Sequence, residues 1–160
     1  MQTFITEHKI KNVAKILDYR RLGKQRVEAK QILQAIRYKK SGNIYMVDKN
    51  GRERLRGWLN HPCTEMWHNY ESYLAYYGYV MCREWINRGY NDSLKSFFRE
   101  NIGASRLKDI EEPYWLRDES LHISHQSNLL NKDRGYYSCF FDVKDDLEYV
   151  WFPRDEQRGF

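Results

Sequence analysis

Residues 62–89 read PCTEMWHNYESYLAYYGYVMCREWINRG, and their spacing decides the fold class. Trp67, Tyr70, Leu74, Tyr77 and Met81 recur at steps of three and four, the period of one helical face. Pro62 suits a first helical turn, where its missing N–H is no loss. Arg88 puts a cation in the last turn, and Gly89 supplies a residue at ease in a left-handed cap. The stretch predicts one helix opening at Pro62, the longest of the chain. Its aromatic stripe reads as core rather than as a platform for bases.

The same period returns on either side. A helix from near Lys11 carries Val13, Ile16 and Leu17. After it comes the run Tyr19-Arg20-Arg21-Leu22-Gly23-Lys24-Gln25-Arg26-Val27-Glu28, with Gly23 an expected weak point or bend. Ala29, Leu33 and Ile36 continue on a buried face to Ser41-Gly42. Residues 43–59 lose the pattern. Asp48-Lys49-Asn50-Gly51 is a turn that can close a small hairpin. Its second arm, Arg52-Glu53-Arg54-Leu55-Arg56, is a basic surface loop able to touch a phosphate backbone.

Further on, Ser93 to Glu100 suits a short helix, and residues 103–116 are a connection broken by Pro113. Asp118 is an N-cap for a helix from Glu119 to Lys132. Ile123, Ser127 and Leu130 form its expected packing side; Leu121, His125, Asn128 and Lys132 form a polar one. Gly135 is expected to close it. The tail from Tyr136-Tyr137 through Trp151-Phe152 is aromatic and extended. The expectation is an all-α single domain over residues 1–160: three main helices, several short ones, an N-terminal arm and an aromatic tail.

A chain of 160 residues can bury one sizeable core. Lys and Arg outnumber Asp and Glu by 27 to 22, and 16% of residues are aromatic. Cations suit phosphates and flat rings suit unstacked bases, although a helical protein with an aromatic core has the same composition. Cys63, Cys82 and Cys139 lack metal-finger spacing and point to a reducing compartment. No run reaches membrane-spanning length and Met1-Gln2-Thr3-Phe4 opens no signal peptide. A monomer in the cytosol of a bacterium or phage-infected host is expected.

The chemistry concentrates in the cationic run. Arg21, Lys24 or Gln25, and Glu28 lie three or four apart and share a face. Cations there neutralise phosphates, and a carboxylate among them stays ionised, able to stabilise a developing cation or move a proton. The plainer alternative is a solvated helix face with a Glu28–Lys24 pair of about 0.3–0.5 kcal/mol.

Three stretches together resemble a known family: Tyr19-Arg20 leading to Arg26-Val27, Glu84-Trp85-Ile86-Asn87-Arg88-Gly89-Tyr90-Asn91, and Ile123-Ser124 through Leu129 and Lys132 to Tyr136-Tyr137. Their order is similar to that of the phage pyrimidine-dimer DNA glycosylases of the endonuclease V type. Met1-Gln2-Thr3-Phe4, the run 21–28 and His61-Pro62 resemble the broader bacterial and viral group. The resemblance implies an all-α fold whose N-terminal arm threads between helices toward double-stranded DNA with damaged or modified pyrimidines. It implies an amine that attacks C1′, expels the base and, through a Schiff base, nicks the strand by β-elimination, with no metal or other cofactor.

In the family the amine is the chain's own α-amino group, on a small residue exposed by loss of the initiator; here Gln2 holds that position. Met1, Gln2, Lys24 and Lys132 are therefore the candidate amines. Arg21 stands where the phage enzymes carry their carboxylate, and Glu28, about two turns on, is the acid expected here. Arg20 and Arg26 match arginines near the scissile phosphate and Lys132 a lysine there, while Asn128 replaces an arginine. Arg21, Arg54 and Arg56 are further expected DNA contacts, and His61, Trp67 and Asn69 expected cleft-lining residues. Two alternatives stay open: a DNA-binding protein of the same fold without catalysis, and a hydrolase holding a metal on His61, Cys63, His68, His122 or His125.

Overall fold

The computed structural model describes residues 1–103 and 106–156. Its elements are α1 (Ile10–Ile16), α2 (Tyr19–Ser41), β1 (Tyr45–Val47), β2 (Glu53–Leu55), α3 (Pro62–Trp67), α4 (Glu71–Asn87), α5 (Lys95–Asn101), α6 (Glu119–Lys132) and α7 (Arg134–Tyr137). One 3-10 turn, Leu107–Asp109, lies between α5 and α6. The fold is mostly α-helical, as the periodicity requires, with one small antiparallel hairpin. Among the described residues no helix is long and apolar enough to cross a membrane.

The stretch 62–89 departs from its expectation in one respect. It is two helices, split at His68, Asn69 and Tyr70, and the longest helix is the 23-residue α2 rather than the 17-residue α4. Asn69 adopts φ 74°, a left-handed conformation that asparagine tolerates better than most side chains. The stripe survives the break: Trp67, Tyr70, Leu74, Tyr77 and Met81 are all buried.

Asp18 separates α1 from α2 by accepting the backbone N–H groups of Arg20 and Arg21. α2 then runs through Gly23 without a break. A Cβ there would meet the Trp85 ring at 3.1 Å, so the glycine serves a close approach of α2 and α4 rather than a bend. Arg88, in the family-like stretch, donates to the carbonyls of Ala14, Lys15 and Leu17 and to Glu84, locking the end of α1 onto α4.

The hairpin pairs Tyr45 with Leu55 and Val47 with Glu53, with Gly51 at φ 76° in its turn. All its strand residues are exposed. On α6 the expected sides are partly exchanged. Leu121 and His125 are buried and Ile123 is only half-buried, because the inward face meets the N-terminal arm, a partner that periodicity cannot reveal. Asp133, not Gly135, ends α6, and Gly135 sits inside α7. Among the described residues, the tail beyond α7 contains no α-helix or strand and is fastened by side chains. Leu147 N–H donates to Ser127 Oγ, Val150 N–H to Ser124 Oγ, and Tyr70 OH to Asp155.

Candidate active site

Gln2 to Thr6 are buried and fastened by side chains of α2, α3, α4 and α6. Trp67 Nε1 of α3 donates to Thr3 Oγ1 at 2.8 Å. Phe4 N–H donates to Gln25 Oε1 of α2 at 2.8 Å, and its carbonyl accepts Tyr77 OH of α4 at 2.9 Å. Ile5 N–H donates to His125 Nδ1 of α6 at 2.8 Å, and Gln126 Nε2 to the Thr6 carbonyl at 2.9 Å. Burying an extended segment requires partners for its backbone groups, and these side chains supply them. Gln25 contributes most, since its Nε2 also donates to the Gln2 carbonyl at 3.0 Å.

The arm ends in a pocket of about 300 Å³ lined by Met1, Gln2, Phe4, Arg21, Lys24, Gln25, Glu28, Lys132 and Tyr149. Gln2 N–H donates to Glu28 Oε2 at 3.3 Å, and Gln25 Nε2 reaches the same oxygen at 3.3 Å. Glu28 is thus held by neutral donors, and among the described residues it forms no ion pair with Lys24. The structure brings together Met1, Gln2, Arg21, Lys24, Glu28 and Lys132, all named from sequence. An N-terminus, one carboxylate and three cations share a small cleft, an arrangement able to hold a phosphate and shuttle a proton.

The surroundings are chemically quiet. Burial pushes the Cys63 thiol up to about 11, so it stays protonated beside Thr3 and Gln2. Burial lowers His125 to about 3, keeping the ring neutral and free to accept Ile5 N–H. Tyr149 is pushed up to about 12 by burial and presents a neutral phenol to the pocket.

Other expected residues lie elsewhere. Arg20 is exposed on α2, outside the pocket lining, and donates to the Tyr19 hydroxyl at 3.0 Å. Arg26 lies outside the pocket lining, buried, paired with Asp92 at 2.9 Å and stacked over Trp85 at 4.6 Å. Asn128 donates to the carbonyls of Ser124 and Leu147 and holds the tail. Arg54 and Arg56 are on the hairpin; Arg54 is exposed, and Arg56 is half-buried over the Tyr38 ring.

Of the residues expected to line the cleft, Trp67 is fully buried core beneath the arm. Asn69 makes the left-handed turn and donates to the Asp155 carbonyl. His61 caps α3 through Cys63 N–H. Among the described residues no three His, Cys, Asp or Glu converge as a metal-binding group. His61, Cys63 and His68 are spent separately on a cap and on burial, and no donor set supports the metal alternative.

Phe4, Gln25 and Tyr149 also line the pocket, without a site signature in the sequence. Gln25 stood out only as the amide within a cationic run, and Phe4 and Tyr149 carry no local signal. The family model for pyrimidine dimer DNA glycosylase matches residues 1–97, the portion that contains the arm, the cationic run and Glu28. No curated protein and no solved structure matches the chain. The chain belongs to the pyrimidine dimer DNA glycosylase family, a membership that implies repair of DNA carrying damaged pyrimidines.

Proposed function

We propose that the protein is a DNA glycosylase with AP lyase activity, acting through its N-terminal amine in the Met1–Glu28 pocket. The observation that carries this is the 3.3 Å contact between Gln2 N–H and Glu28 Oε2 at the buried end of the arm. Either α-amine fits the chemistry. Met1 lines the pocket as the chain is translated, and loss of Met1 would turn the Gln2 nitrogen beside Glu28 into the amine. An α-amine is less basic than a lysine side chain and keeps a larger neutral, nucleophilic fraction near neutrality.

The amine attacks C1′ of the damaged nucleotide and the C1′–N bond breaks. Glu28 stabilises the cationic sugar as that bond lengthens. The product is a ring-closed glycosylamine; its C1′–O4′ bond breaks, O4′ takes up a proton, and the opened sugar is the Schiff base, whose electron demand acidifies the C2′ proton. Removal of that proton expels the 3′ phosphate, and Glu28, the carboxylate of the pocket lining, serves as the base for it. Arg21, Lys24 and Lys132 neutralise the phosphates on either side, and Arg20, Arg54 and Arg56 extend the contact along the duplex.

Borohydride trapping on UV-irradiated duplex tests the reading. A covalent adduct mapped to the N-terminal peptide is expected. An adduct on a lysine would move the nucleophile to Lys24 or Lys132. Absence of any adduct on irradiated and abasic duplexes would leave a protein that binds without catalysis.

A further inference from the structure

We infer that Tyr149, Trp151, His61 and Trp58 form a stacking track for single-stranded DNA, running from the pocket to the basic hairpin. Tyr149 belongs to the pocket wall, and its ring meets Trp151 at 5.6 Å. Trp151 meets His61 at 5.8 Å, and His61 meets Trp58 at 5.3 Å, both edge-to-face. Tyr149, Trp151 and His61 are half-buried, and Trp58 is 47% exposed. The series is unbroken from the catalytic cleft to the surface beside β2.

Trp58 carries a second, independent sign. Its φ is 69°, a left-handed conformation rarely adopted by a bulky side chain. Two hydrogen bonds to its carbonyl hold it there, from His61 N–H at 3.2 Å and Thr64 Oγ1 at 2.7 Å. Backbone strain that presents an indole to solvent, rather than to a core, is typical of a ligand contact.

The surroundings say which ligand. Trp58 borders a cleft of about 170 Å³ with Gln31, Gln34, Met46 and Arg56. Gln31 and Gln34 lie three residues apart on one face of α2, roughly 4.5 and 9 Å beyond Glu28 along the helix axis. Arg52 and Arg54 on β2 and its turn expose 74% and 70% of their side chains. Rings for base faces, amides for base edges and guanidiniums for phosphates make the combination that takes an unpaired strand, because a duplex hides its base faces. The track rests on the repair reading only for its direction, with the strand leading out of the pocket.

The test is titration of the full chain with an undamaged oligothymidine, read by tryptophan fluorescence and by anisotropy of a labelled strand. Quenching and saturable binding are expected for the wild type. Trp58→Gly removes the ring and accepts the positive φ, so it should weaken oligothymidine binding roughly tenfold while its Tm stays level or rises. Trp58→Phe should recover part of the binding. Borohydride trapping on an abasic duplex should change less than twofold in both variants. Oligothymidine that leaves the indole fluorescence unchanged, or a folded Trp58→Gly that binds it like wild type, would overturn the track. Single-strand binding lost in Trp58→Gly, with no trapping by the wild type, would uphold the track and sink the lyase chemistry instead.

Discussion

Glu28 and Arg26 sit two positions apart in one cationic run and have opposite fates. Glu28 faces the pocket and takes Gln2 N–H, so Glu28→Gln should keep DNA binding while cutting trapping and strand cleavage by at least about a hundredfold. Unchanged cleavage in that variant would remove Glu28 from the chemistry. Arg26 is buried against Asp92 and Trp85, so Arg26→Ala should act on the fold, lowering stability by about 3 kcal/mol in urea titration. Arg20→Ala should leave Tm alone and reduce the slope of log K against log salt by about one. The cluster of charge was legible in the sequence. Its division into site and core was not, because Trp85 and Asp92 approach Arg26 only through the packing of α2 on α4 and the loop after it.

At the scale of elements, periodicity located the principal helices and the Asp118 cap, since those depend on neighbours three and four residues away. It missed the break at Asn69, because the buried stripe runs on through it. It also misread Gly23, whose missing Cβ makes room for Trp85. Gly78 shows the same effect more sharply. A Cβ there would lie 2.3 Å from the buried Phe98 ring, so α4 and α5 touch only because that carbon is absent. Gly78→Ala should therefore destabilise by about 1–3 kcal/mol despite its better helix propensity, measurable as a lower urea midpoint with an unchanged m-value.

For the whole molecule, acid is the natural probe of how the arm is held. His125 is lowered to about 3 in the folded state and titrates near 6.5 when unfolded, so the unfolded chain binds the extra proton between these values. Stability should fall as pH drops below about 6.5. Burial lowers His61 and His68 as well, and they act in the same direction. Asp18 adds a further loss only below about 3.8: burial raises its carboxyl, but the Tyr137 hydroxyl and the α2 N–H groups outweigh that and hold it low. Unfolding free energy should be about 1–2 kcal/mol lower at pH 5 than at pH 7 from His125 alone. His125→Gln should flatten that profile, and an unchanged profile would separate the arm's anchor from acid sensitivity.

Helical class, the hairpin turn and the cationic run with its single carboxylate were legible in the chain alone because each is written in residues close together, and the family was legible in the order of its separate stretches. Only the tertiary structure decided that the N-terminus meets Glu28, that Lys132 and Tyr149 from beyond the family-matched residues complete the pocket, and that Arg26 and Trp67 belong to the core. The contacts of the arm join positions 21 to 120 residues apart, and they arise from burying an extended segment whose polar backbone had to find partners on α2, α4 and α6.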